Sequence, residues 1–252
     1  MRFPRLIAPL VCCFAVILAN AQTVQTTAKG TTTSTVTSLA TNSVATTTGW
    51  LAVVETRTGS DTTTISAPTD TAGNTYTLIA NTLQHNSCCV SIQMAYSANI
   101  TGNAANVVTC NFSSTANDSC VAIYISGAAA ASVLDTSTGS VGNASASSIT
   151  SPAFTTANAN DIIVACMSYD NINSTFSAGL IGGVTATLDV TSGSSNQGDT
   201  GCEHLNVTSI QTSITAAMSI SAAQNHQSIA VGAFKAAAAT TGGAAKKKKI
   251  FF

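Results

Sequence analysis

"NVVTCNFSSTANDSCVAIYIS", residues 106–126, reads as two strands around a turn. Val108, Cys110 and Phe112 fall on one side of the first run, and Val121, Ile123 and Ile125 on one side of the second. An apolar residue at every second position is the period of a pleated strand. Between the runs lies "NFSSTANDS", small and polar, with the composition of a hairpin turn. Cys110 and Cys120 bracket that turn, which makes a cross-strand disulfide geometrically reasonable.

The same pattern recurs outward in both directions. "WLAVVET" (50–56), "TYTLIA" (75–80) and "CVSIQMAY" (89–96) precede it; "VTATLDV" (184–190), "ITAAMSI" (214–220) and "SIAVGAF" (228–234) follow. "DIIVACM" (161–167) is apolar on both faces and reads as a central strand. Clusters of Gly, Asn, Asp and Ser separate these runs, and no stretch has the 3.6-residue period of an amphipathic helix. The Ala-rich 126–134 lacks a polar face and reads as a strand exit. Many short strands with turns between them predict an all-β fold, a single antiparallel β-sandwich, jelly-roll-like, over about residues 30–236. No fixed-period repeat is visible, which argues against a propeller or β-helix.

Composition sets the compartment. Arg2 and Arg5 precede the apolar "LIAPLVCCFAVILA" (6–19) and the small-residue "ANA" (19–21), so residues 1–21 are expected to be a signal peptide. The apolar run is shorter than the ~20 residues of a membrane span. The sandwich is placed at 22–236, with a Thr-rich first strand or leader at 22–49. Residues 237–252 are read as a flexible linker and a Lys-rich tail, Lys246 to Lys249, that either touches anionic surfaces or begins a further apolar segment. Between 22 and 240 there are three basic and ten acidic residues, a net charge of −7 that repels phosphate backbones and argues against nucleic acid as partner. Six cysteines remain after the signal: Cys88, Cys89, Cys110, Cys120, Cys166 and Cys202. An even number in an exported chain predicts disulfides. Adjacent Cys88 and Cys89 point to opposite faces of any strand, so different partners are expected for them.

The order "WLAVVE", "APTDTAGNTYTLIA", "AYSANIT", "NVVTCNF", "VAIYISG", "SPAFTTANANDIIVA", "SIAVGAFK" resembles a group of exported bacterial β-sandwich domains with a Ser/Thr-Asp-x-x-Gly-Asn-Thr-Tyr signature. The resemblance spans about residues 35–236. It implies a cell-surface or adhesive module without established enzymatic activity. The cysteines and the lysine tail depart from that pattern.

Chemistry-bearing residues are sparse. In "DTAGNTYTLIAN" (70–81), Asp70 can fold onto backbone N–H groups while Gly73 and Asn74 turn the chain. A calcium loop would need two or more carboxylates at close spacing. Only Asp70 is present, so a turn is favoured, calcium is the lesser alternative, and no cofactor is expected. A glycosidase needs two carboxylates across a cleft, and Glu55 and Glu203 are the only glutamates. "HNSCC" (85–89) and "GCEH" (201–204) could together hold zinc, although a bridge from Cys88 or Cys89 to Cys202 is preferred in an oxidising compartment. Among Trp50, Tyr76, Tyr96, Tyr124 and Tyr169, the last lies in the polar "SYDNINS", so Tyr169, Asp170 and Asn171 are the candidate ligand-binding residues. Trp50, at a strand start, is read as core. Six Asn-x-Ser/Thr sequons occur, at Asn99, Asn111, Asn117, Asn143, Asn173 and Asn206. The expected function is a secreted or cell-surface, non-catalytic binding or adhesion module for a polysaccharide or cell-surface component. The alternatives are a fibre-forming protein that associates through strand edges, and a glycoside hydrolase.

Overall fold

The computed structural model describes residues 21–32, 34–170, 174–194 and 197–238. Nearly all of the expected signal peptide, most of the tail and Asn171 therefore lie outside the described residues. Over them the chain is all-β and antiparallel, and no helix among them is long and apolar enough to cross a membrane.

The first half contains β1 (Thr23–Thr31), β2 (Val36–Ala40), β3 (Leu51–Thr58), β4 (Ile65–Asp70), β5 (Thr77–Leu78), β6 (Gln84–Asn86), β7 (Val90–Ser97), β8 (Val108–Ala116) and β9 (Asp118–Ser126). The second contains β10 (Leu134–Gly142), β11 (Ala146–Thr150), β12 (Asp161–Tyr169), β13 (Phe176–Ile181), β14 (Val184–Thr185), β15 (Thr187–Ser194), β16 (Gln197–Asn206), β17 (Ala216–Gln224) and β18 (Gln227–Lys235). Four sheets result: β2-β8-β4, β1-β9-β3-β7-β5 with β6 also on β7, β10-β18-β12-β16-β15, and β11-β17-β13-β14. The two halves repeat one topology. In each, the first strand pairs the last, and the order β1-β9-β3-β7 over β2-β8-β4 returns as β10-β18-β12-β16 over β11-β17-β13. That is a jelly-roll arrangement twice over, where the sequence suggested one sandwich. The repeat extends to burial. β8 and β17 share one pattern of buried and exposed positions, and so do β9 and β18, and β2 and β11. It is a repeat of topology without a matching repeat of residues, which is why no period shows in the sequence.

Three apolar seams stack the four sheets. One joins Leu39, Ile65, Val108 and Phe112 of the outer sheet to Ala52, Val54 and Tyr124 of the inner one. Its counterpart joins Ile149, Ile181, Ala216 and Met218 to Ile163, Ala165 and Val231. The central seam presses the two inner sheets together: Leu51, Val53, Ile92, Met94 and Ile123 from one half, Ile162, Val164, Ala230 and Phe234 from the other. Strands β3, β9, β12 and β18 are consequently covered on both faces.

Two disulfides staple this core. Cys110–Cys120 forms as the sequence suggested, but the strands it joins are not a hairpin. β8 lies in the outer sheet and β9 in the inner one, so the chain changes sheet at Asn117 and the bond spans the apolar seam between them. Cys166 and Cys202 face each other in register on β12 and β16, and their bond lies in the central seam. The third bond, Cys88–Cys89, corrects the expectation of separate partners. These residues sit in the β6–β7 turn, where strand alternation does not hold.

Phe234 is fully buried in the central seam with its ring 6.0 Å from that of Tyr96. Phe234→Ala should cost about 3–5 kcal/mol of unfolding free energy. Denaturant unfolding with an unchanged m-value is the check; a loss below about 1 kcal/mol would mean that the halves do not depend on this seam.

Candidate functional site

Asp70 anchors its own turn. Its carboxylate ends β4 and accepts four hydrogen bonds: from the Asn74 backbone (2.9 Å), the Asn74 side chain (2.8 Å), the Tyr76 hydroxyl (3.0 Å) and Asn106 Nδ2 (3.2 Å). Gly73 adopts φ 75°, the left-handed conformation the turn requires. Four protein donors occupy the lone pairs that a calcium ion would take.

The residues proposed for ligand contact are placed differently from one another. Tyr169 closes β12 with its side chain fully buried, so it cannot act as an exposed stacking platform. Its hydroxyl is shared between the Ser174 carbonyl (2.7 Å) and the Asp199 carboxylate (2.8 Å). Asp170 is partly exposed and lies 3.5 Å from the guanidinium of the buried Arg57, which also donates to the Asn117 carbonyl at 2.7 Å. Of the other candidate rings, Tyr76 and Tyr124 are buried, and Trp50, read as core, is half-buried and packs against the first seam.

What Tyr169 does is hold up the back of a groove. Asp199, its hydrogen-bond partner, lines a cleft of about 330 Å³ with Lys29, Ser174, Phe176, Leu188 and Thr191. Burial raises the Asp199 pKa, opposed by the Tyr169 hydroxyl and Arg57. The half-buried Phe176 ring stands 5.4 Å from that of Tyr169. Lys29 and Thr191 also line an adjoining cleft of about 530 Å³ with Thr27, Thr31, Asn42, Asp189 and Val190. Both clefts follow the joint between β1 and β15, the edge strands of the two inner sheets. The joint is tied by Lys29 Nζ to the Thr191 carbonyl (2.8 Å) and Ser192 Oγ to the Gly30 carbonyl (3.1 Å). Asp189 is held from behind by His204 Nδ1 at 2.8 Å. One amine, two carboxylates, several hydroxyls and one aromatic ring thus line a surface groove of the size small polar ligands occupy.

Sequence reasoning did not single out Lys29, Phe176, Asp189 or Asp199. Lys29 is 147 or more residues from the other three, and no local pattern joins them. The nearest signal was the polar "SYDNINS", of which Ser174 lines the groove.

The two glutamates are not brought together. Glu55 faces the central seam, and Glu203, on the far side of the second inner sheet, accepts from the Gly179 N–H at 2.6 Å. Both are fully buried. Burial alone holds Glu55 well above the usual carboxylate range. The grouping of His85, Cys88 and Cys89 with Cys202, Glu203 and His204 does not form either, nor does the expected bridge from Cys88 or Cys89 to Cys202, since Cys202 is bonded to Cys166 and Cys88 to Cys89. No known protein family, curated protein or solved structure matches the chain.

Asp70→Ala, which orphans its donors, should cost about 2–3 kcal/mol, while calcium or a chelator leaves the wild-type unfolding midpoint unmoved. A calcium-dependent midpoint that the substitution abolishes would reverse the turn reading. Asp118, Asp161 and Glu203 are each pushed to about 7, first by burial. Their unfolded values lie near roughly 4. The folded chain therefore retains protons that the unfolded chain releases. Their contribution to stability is complete below about pH 4 and lost as pH rises toward 7. Thermal unfolding should be later at pH 5 than at pH 8, with a shallower pH slope in Glu203→Gln; an equal slope in that variant would remove Glu203 from the account.

Proposed function

We propose that the chain is an exported, non-catalytic binding module that takes a segment of a polysaccharide or a cell-surface glycan in the β1–β15 groove. The observation that carries this reading is the groove's lining. The half-buried Phe176 offers a ring face for the apolar side of a sugar. Asn42, Thr31, Thr191 and the Lys29 amine are placed for hydroxyl groups, and Asp189 and Asp199 are fixed as acceptors by His204 and Tyr169. Rigid polar groups around an apolar patch give orientation without an ordering cost on binding. The three disulfides fit an oxidising compartment. Together with the amino-terminal sequence they support secretion or display at the cell surface. The hydrolase alternative built on Glu55 and Glu203 loses its pair, because the two face different seams.

A specific observation supports a second reading, self-association. Leu180 and Val184 are 48% and 56% exposed on the paired β13–β14 at one edge of an outer sheet. An apolar, uncharged edge of that kind invites strand addition.

Retention of the full chain on a panel of immobilised polysaccharides separates the readings. Binding to one class, weakened about tenfold by Lys29→Ala or Asn42→Ala, both exposed and each checked by its unfolding midpoint, is the expected result. Retention that neither substitution alters would place the ligand elsewhere. Concentration-dependent assembly that Val184→Lys abolishes, with no glycan retention, would establish the edge reading instead.

A further inference from the structure

The joint opposite the groove carries different chemistry. There β6 and the β6–β7 turn of the first half pack against β10 and β18 of the second. The turn supplies Cys88 and Cys89, and the β17–β18 turn supplies His226. One ligand atom from each of the three lies within 4.8 Å of the others. We propose that this trio is a redox-gated site for a thiophilic metal ion of the zinc or copper(I) class, closed while Cys88–Cys89 is oxidised and open once it is reduced.

Three features of the surroundings support the assignment. The first is the existence of the bond. In an extended strand adjacent side chains diverge, but here the turn lets both sulfurs reach one point, which a shared metal also requires. The second is the state of His226. Asn86, fully buried, donates its amide nitrogen to the carbonyls of Gly142 (3.1 Å) and Gln227 (3.4 Å). Its Oδ1 is thereby turned to His226 Nδ1, 2.8 Å away. That oxygen can only accept, so Nδ1 carries the proton and the lone pair is on Nε2. A buried carbonyl oxygen that fixes the tautomer of a histidine is the usual support behind a metal-ligating imidazole. His226 also adopts φ 56°, a conformation uncommon for a non-glycine residue, in the tight turn between β17 and β18. The third is selectivity. Cys88 is exposed and Cys89 half-buried, whereas Cys110, Cys120, Cys166 and Cys202 are buried. A reductant in solution reaches only the first pair.

The chemistry balances with a low-molecular-weight thiol as reductant. Two thiol molecules give up two electrons and two protons and leave as their own disulfide. The Cys88–Cys89 bond breaks, and each sulfur takes one of those protons. The metal ion then displaces one proton from each thiol and accepts the Nε2 lone pair. Two sulfurs and one nitrogen leave a fourth position for solvent or a ligand. Because the sulfurs and the imidazole belong to different halves, occupancy would pin the halves together.

The test uses the exported chain from Gln22, which lacks Cys12 and Cys13, briefly treated with dilute dithiothreitol, desalted without air and titrated with cobalt(II), then with zinc as competitor. The expected result is two free thiols per chain, one cobalt bound with sulfur-to-cobalt charge-transfer absorption, displacement by zinc, and no uptake by the untreated chain. His226→Asn, which tolerates the same backbone conformation, should weaken binding tenfold or more while the thiolate absorption persists. Cys88→Ser with Cys89→Ser should abolish the absorption. No thiols released, equal uptake by the oxidised chain, or an affinity unchanged in His226→Asn would each overturn the proposal.

Discussion

The rest of the structure depends on one constraint: each inner sheet must be buried on both faces. Strands β3, β9, β12 and β18 carry apolar or small residues inward and outward alike, and no single sandwich can cover both sides of such a strand. A sheet in a two-layer sandwich leaves one face to water, and its strands alternate. Here each outer sheet covers one face and the other half of the chain covers the second. Neither half has a complete solvent-facing surface by itself.

That stacking places the groove. Two twisted sheets pressed face to face cannot match along every edge, and where β1 passes β15 the strands come close enough for Lys29 to reach Thr191 but leave clefts beside the contact. Polar side chains gather there because the strand edges meet water. The groups that fix the groove's carboxylates, Tyr169 and His204, come from strands anchored in the second half's core, so the acceptors are held by the packing itself.

Much of the fold was legible in the residues. Alternation gave the strand locations, the absence of helical period gave the class, and the strand-turn-strand run at 106–126 located one disulfide. The number of layers was also legible in principle. "WLAVVE", "VAIYIS" and "SIAVGAF" are as apolar on both faces as "DIIVACM", and four such runs require two doubly covered sheets. Other features were not legible. A strand pair joined by a short turn looks the same in sequence whether it returns in its own sheet or crosses to another, so the sheet change at Asn117 is decided by tertiary packing. Tyr169 sits where a polar loop begins, yet it is the last inward position of a buried strand. The groove residues come from strands far apart in the chain, and only the stacking of the halves brings them together.

In a symmetric homodimer every interface change is made twice, once on each side of the axis. The chain here has the layout of such a dimer, two jelly rolls face to face with two corresponding joints, but each joint is written by different residues of one polypeptide. The link between the halves frees the joints from one another. One has become a groove of lysine, carboxylates and a phenyl ring, and the other a meeting of two cysteines with a histidine. Continuity of the backbone thus lets one scaffold hold two unlike seams, a division of labour that identical subunits cannot encode.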